Sequence, residues 1–197
     1  QSVAFLKANG REVIFDAEHF FDGYAWNPSY ALASLEAARR GGVDCICLCE
    51  TNGGAFPDQV AQVTAEAVQR LKAPVGIHTH NDGGMAVANS IYAAELGFEL
   101  VDASLQGLGR SAGNAVLERF VAVAQKLGYY QEIDIKKLLW LGYEYVAHFT
   151  DGHAISPIDT ICGVAGVSPP HTPFFPLFLV RGGGPPKTCP RRPCRRD

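Results

Sequence analysis

No apolar run in this chain approaches the roughly 20 residues a bilayer-spanning helix needs, so the sequence reads as soluble and globular. There is no opening methionine, and QSVAFLKANGREVIF lacks the charged-then-apolar layout of a signal peptide; the expectation is a chain that starts inside something longer. Nor is there a basic surplus, since the net charge is −3. The bases Arg181, Lys187, Arg191, Arg192, Arg195 and Arg196 crowd the C-terminal end against Asp197 alone, leaving the preceding body more acidic still. An acidic body argues against a nucleic-acid partner. Cys45, Cys47 and Cys49 alternate along the apolar run CICLC, without the turn on which zinc-binding cysteine pairs sit. They read as packing thiols on one strand face, in keeping with a reducing cytoplasm, with a metal–thiolate site as the alternative.

What is present suits one domain with a sizeable core: 197 residues, 47% hydrophobic and 19% charged. A strand–loop–helix order recurs four times. VIFDA leads through EHFFDGYAWN to PSYALASLEAARRGG, where Asn27-Pro28 signals a start and Gly41-Gly42 a stop. VDCICLCE leads through TNGGAFPD to QVAQVTAEAVQRLKA, PVGIHTH through NDGG to MAVANSIYAAELG, and ELVDASL through QGLGRSAG to NAVLERFVAVAQKLG. Strands thus begin about every 25–31 residues, the length of a βα unit in a parallel sheet. Near-continuous apolar strands such as CICLC suit burial on both faces. Polar and glycine-rich residues gather after each strand's C-terminal end, the rim that carries chemistry in a (β/α)8 barrel. A further helix is expected over 134–149, capped by Asp134. The Pro/Gly/Arg-rich residues 168–197 read as a disordered tail, within which Cys189 and Cys194 flank PRRP.

The stretch with most chemical content is GIHTHND at 76–82. Alternation along a strand points His78 and His80 the same way and Thr79 the other. Two imidazoles at a strand end suit one metal ion; the plain alternative is a pair of solvated histidines. Asn81 and Asp82 follow as candidates to orient the loop or the histidines. His148 and His153 read as surface or packing histidines.

HTHNDGGMAVANS, ETNGG, EHFFDGY and GLGRSAGN, in this spacing, resemble the metal-dependent aldolase and acyltransferase (DRE-TIM metallolyase) superfamily over residues 1–167. That superfamily includes isopropylmalate, homocitrate and citramalate synthases, hydroxymethylglutaryl-CoA lyase and 4-hydroxy-2-oxovalerate aldolase. The resemblance implies a TIM barrel with one divalent metal (Mn, Mg, Co or Zn) at its C-terminal rim. The four units match strands five to eight, so the expected fold is α/β, the C-terminal half of the barrel. His78, His80 and Asn114 match three of the metal ligands, while the aspartate of strand one has no counterpart. For Asn114 the alternative role is a helix N-cap. Thr51 matches a threonine that contacts substrate carboxylate, and a simple loop hydroxyl is its other reading; Glu50 stands where many relatives have aspartate. Glu50, Asn52, Gly107 and Gly109 complete a substrate-binding set with Thr51. Glu18 and His19 are candidates for proton transfer, together with Thr51 as catalytic residues. The loop GRSAG lacks the cysteine of hydroxymethylglutaryl-CoA lyase, which speaks against that activity.

The resemblance implies carbon–carbon bond formation or cleavage on a 2-oxo acid. An acyl-CoA such as acetyl-CoA is the co-substrate in the citramalate-type reading, and pyruvate is the released product in the aldolase-type one. Two other readings are a barrel amidohydrolase, which needs histidines that ELVDASL does not supply, and an inactive half-barrel that a partner chain completes along the open edge at 13–17. The expected assembly is a homo-oligomer, or a chain joined to a missing N-terminal half.

Overall fold

The computed structural model describes residues 1–149. His153, the 167/168 boundary, the tail and its two cysteines lie outside the described residues. Four strands, β1 (Ile14–Ala17), β2 (Cys45–Glu50), β3 (Val75–Thr79) and β4 (Leu100–Asp102), form one parallel sheet in the order β1-β2-β3-β4. Neighbours in chain order are neighbours in space. Such winding belongs to barrel-type α/β folds, whereas a doubly wound sheet reverses its strand order.

Parallel neighbours require crossovers, and helices supply them. Between β1 and β2 run α2 (Phe20–Trp26) and α3 (Pro28–Arg40), after a short opening α1 (Ser2–Ala8). Asn27 caps α3 by accepting from Tyr30 N at 3.1 Å, and Pro28 at the first position needs no donor partner. α4 (Pro57–Leu71) and α5 (Ala86–Glu95) follow β2 and β3. After β4 come a 3₁₀ turn at Leu105–Gly107, then α6 (Leu117–Lys126) and α7 (Ile135–Leu141).

Three local expectations differ from the structure, and one helix, α1, was not anticipated. EHFFDGYAWN, expected as a loop, contains α2, because Phe20 and Phe21 are drawn into the core. The opening residues form α1, tied down by Lys7 Nζ on Asp44 at 2.7 Å. α6 starts at Leu117 rather than Asn114, because Asn114 and Ala115 donate their amides to Gly107 and Thr79 at 3.0 Å each. The expected helix over 134–149 starts on its Asp134 cap as read but is α-helical only to Leu141, continuing as a π turn at Gly142–Val146 and a 3₁₀ turn at Ala147–Phe149. The change falls where Gly142 presses on Glu118, so closely that an added Cβ would collide with its Oε1.

Register divides the sheet into two faces. Phe15, Ile46, Val75 and Ala17, Leu48, Ile77 align across β1–β3, and all six pack with α2–α5 in the main core. The other face carries Ile14 and Cys45, then Asp16, Cys47, Gly76 and Leu100, then Cys49, His78 and Asp102. Cys45, Cys47 and Cys49 are buried and free. Burial on both sides holds for β2 but not for β1, whose Ile14 and Asp16 are exposed.

Candidate metal centre

His78 lies in β3 and His80 just beyond its end, both on the face away from the helices. Their Nε2 atoms stand 3.3 Å apart with the rings edge to face. Two nitrogens held about 2.1 Å from one cation lie roughly 3.0–3.4 Å apart between octahedral and tetrahedral angles. The observed spacing falls in that range.

Strand pairing adds a carboxylate. His78 aligns with Asp102 of β4, and His78 Nδ1 meets Asp102 Oδ2 at 2.8 Å. A carboxylate on Nδ1 fixes the proton there and turns the Nε2 lone pair outward, the usual second partner of a metal-binding imidazole. The same contact raises the His78 pKa and lowers that of Asp102. His80 has the opposite environment: burial first, then the charges of Arg110 and His78, lower it to about 4. It is neutral at physiological pH and so keeps a lone pair for a ligand. Its Nδ1 is buried with no hydrogen-bond partner among the described residues.

Asn114 arrives from the loop after β4. It forms an isolated antiparallel bridge with His80, fixed by Asn81 N donating to Gly113 O at 2.9 Å and Ala115 N to Thr79 O at 3.0 Å. Its Nδ2 donates to Leu108 O at 3.2 Å, while its Oδ1 is buried without a partner among the described residues. The N-cap alternative fails, since Val116 occupies the cap of α6. Gly109 leaves the space the carboxamide fills: a Cβ there would stand 2.5 Å from Asn114 Oδ1. Gly113 turns at φ +88° where a Cβ would strike Gly107 O. The orphaned Asn114 oxygen beside the paired Nε2 atoms of His78 and His80 fits a divalent cation of intermediate hardness.

The remaining candidates line the same rim. Glu50 is buried, its Oε1 accepting from Gly54 and Ala55 amides at 3.2 and 3.3 Å, and burial raises it to about 7. Thr51 is buried, with Oγ1 accepting from His19 N at 2.8 Å, so its hydroxyl proton remains to donate. Asn52 Nδ2 donates to Asp22 at 2.9 Å. Glu18 and His19 are exposed, and His19 Nδ1 is 3.4 Å from Asp22. Asn81 accepts from Ala86 N at 3.3 Å, which orients the loop; orienting the histidine is the work of Asp102. Sequence reasoning missed Asp102 and Arg110. Asp102 is visible as the acid that ends ELVD, but its place beside the histidine of β3 comes from strand register. Arg110 donates to Thr51 O at 2.6 Å and to Ser111 Oγ at 2.9 Å, latching two rim loops. No local pattern announces a contact across that distance in the chain.

The HMGL-like family profile matches residues 1–142. An (R)-citramalate synthase of Geobacter sulfurreducens is 49% identical over 116 residues, 59% of this chain and 22% of that enzyme. A 4-hydroxy-2-oxovalerate aldolase of Pectobacterium atrosepticum is 35% identical over 147 residues, 72% of this chain and 41% of that enzyme. The chain therefore spans less than half the length of either relative. In fold it is similar to the N-terminal domain of an aldolase candidate from Bacteroides vulgatus, with a TM-score of 0.74 at 23% identity, over 84% of this chain and 54% of that one.

Proposed function

The chain belongs to the HMGL-like family, and from that premise we propose that it serves divalent-metal-dependent carbon–carbon bond formation between an acyl-CoA and a 2-oxo acid, as in citramalate synthases. The observation that carries this reading is the His78–His80 pair, spaced 3.3 Å apart and oriented by Asp102. His78, His80 and Asn114 would hold the cation, with Mn, Mg, Co and Zn all compatible. Bound there, it would polarise a ketone and stabilise developing oxyanion charge. Arg110 places positive charge beside His80 and the Thr51 loop, suited to an anionic substrate. Thr51 donates its remaining hydroxyl proton to the substrate carboxylate, and Glu50, Asn52, Gly107 and Gly109 shape the surrounding loops. Glu18 and His19 stand exposed at the rim and exchange protons with substrate.

The sheet serves as strands five to eight of a (β/α)8 barrel, with β1 and β4 as edges for the remaining strands. A second copy in a homo-oligomer or further strands of the same barrel would pair along them. Three free thiols among the described residues suit the cytoplasm, and no helix of the described residues is long and apolar enough to cross a membrane. The aldolase alternative, release of pyruvate from a 4-hydroxy-2-oxo acid, draws support from the 35% identity to such an enzyme.

Calorimetric titration with Mn²⁺ tests the centre: one site is expected, weakened in His80→Ala, and an unchanged isotherm would count against it. Incubating the barrel-completed protein with pyruvate and acetyl-CoA separates the activities, since CoA release marks the synthase. Pyruvate formation from 4-hydroxy-2-oxovalerate marks the aldolase.

A further inference from the structure

The strand CICLC lacks the turn that normally brings two cysteine ligands together, yet the fold supplies a third ligand from the neighbouring strand. Asp16 of β1 aligns with Cys47 of β2, and one carboxylate oxygen with the Cys47 and Cys49 sulfurs lies within 4.8 Å of one another. Cys47 and Asp16 line a cavity of about 330 Å³ together with Ile14, Leu100, Val101 and Asp102, on the face opposite the helices, while Cys49 is buried and does not line it. Sulfur atoms on one zinc-like ion lie about 3.8 Å apart, so side-chain adjustments of about 1 Å would close the set.

We propose that Asp16, Cys47 and Cys49 form a second cation site, selective for a thiophilic ion such as Zn²⁺ or Cd²⁺ and separate from the histidine centre. The donor set decides the class of ion: two soft sulfurs and one carboxylate favour borderline and soft cations over Mg²⁺ or Mn²⁺. Solvent supplies the fourth position from the cavity. Each thiol loses its proton to solvent as the metal–sulfur bond forms, so no redox partner is required. Cys49 also aligns with His78, so the second site begins one strand away from the first.

Cobalt distinguishes the two, because thiolate ligands produce an intense near-ultraviolet charge-transfer band and imidazoles do not. Titrating Co²⁺ into the full chain under a phosphine reductant is expected to raise that band in the wild type and in His80→Ala. Cys47→Ser/Cys49→Ser should lose it, and X-ray absorption of the wild-type complex should count two sulfurs per metal. Asp16 is exposed, so Asp16→Asn tests the third ligand even where the double serine variant misfolds; its affinity should fall by about ten-fold or more. A folded wild type without the band, a band lost in His80→Ala, or unchanged affinity in Asp16→Asn would overturn the proposal.

Discussion

The two faces of this sheet are built from the same strands and do opposite work. Toward the helices stand Ile46, Leu48, Val75 and Ile77, all within the buried core. Toward the other side stand Asp16, the three cysteines, His78 and Asp102, with orphaned atoms at the rim on His80 and Asn114. Alternation along a strand makes this division possible, because neighbouring residues answer to different neighbours. The helix face packs apolar side chains and stabilises the fold; the other face gathers imidazole, carboxylate and carboxamide groups able to hold a ligand. Stability and chemistry are therefore separable by single substitutions.

The largest effect is expected on the helix face: Leu48→Ala should cost about 2–5 kcal/mol, read from the urea midpoint. An equal cost in Asp16→Asn would break the division. His80→Ala should weaken Mn²⁺ binding by more than about 100-fold, beyond the range for losing an outer partner, while urea unfolding of the metal-free protein stays two-state. Asp102→Asn should weaken it by about 10–100-fold, a smaller loss since Nε2 survives but its proton placement is no longer fixed. A gentler effect concerns Glu50, whose carboxyl rises from 4.5 to about 7. The folded state then holds a proton that the unfolded chain has released, so metal-free stability should fall as pH rises from about 4.5 to 7. Glu50→Gln should flatten that slope in urea titrations at several pH values; a slope that persists would place its origin elsewhere.

Much of this was legible because local rules agree with the global fold. Asn27-Pro28 and Gly41-Gly42 bracket α3, and Asp134 caps α7, accepting from Lys136 and Lys137 amides at 3.0 and 3.1 Å. His78 and His80 were readable as a pair because strand period alone sets their common direction. The misreadings arise where distant contacts compete with local preference. Phe20 and Phe21 convert an expected loop to helix by entering the core. Asn114, a good cap by type, spends its amide on Gly107 instead.

By itself the sequence determined the βα repeat, the parallel strands, the histidine pair and the glycine-rich rim, since each follows from spacing within a few residues. Only the tertiary structure decided that Asp102 holds His78, that Arg110 latches the Thr51 loop, and that Asp16 meets Cys47 and Cys49. Those contacts depend on strand register and loop approach, which the packing of distant segments sets and no local period encodes.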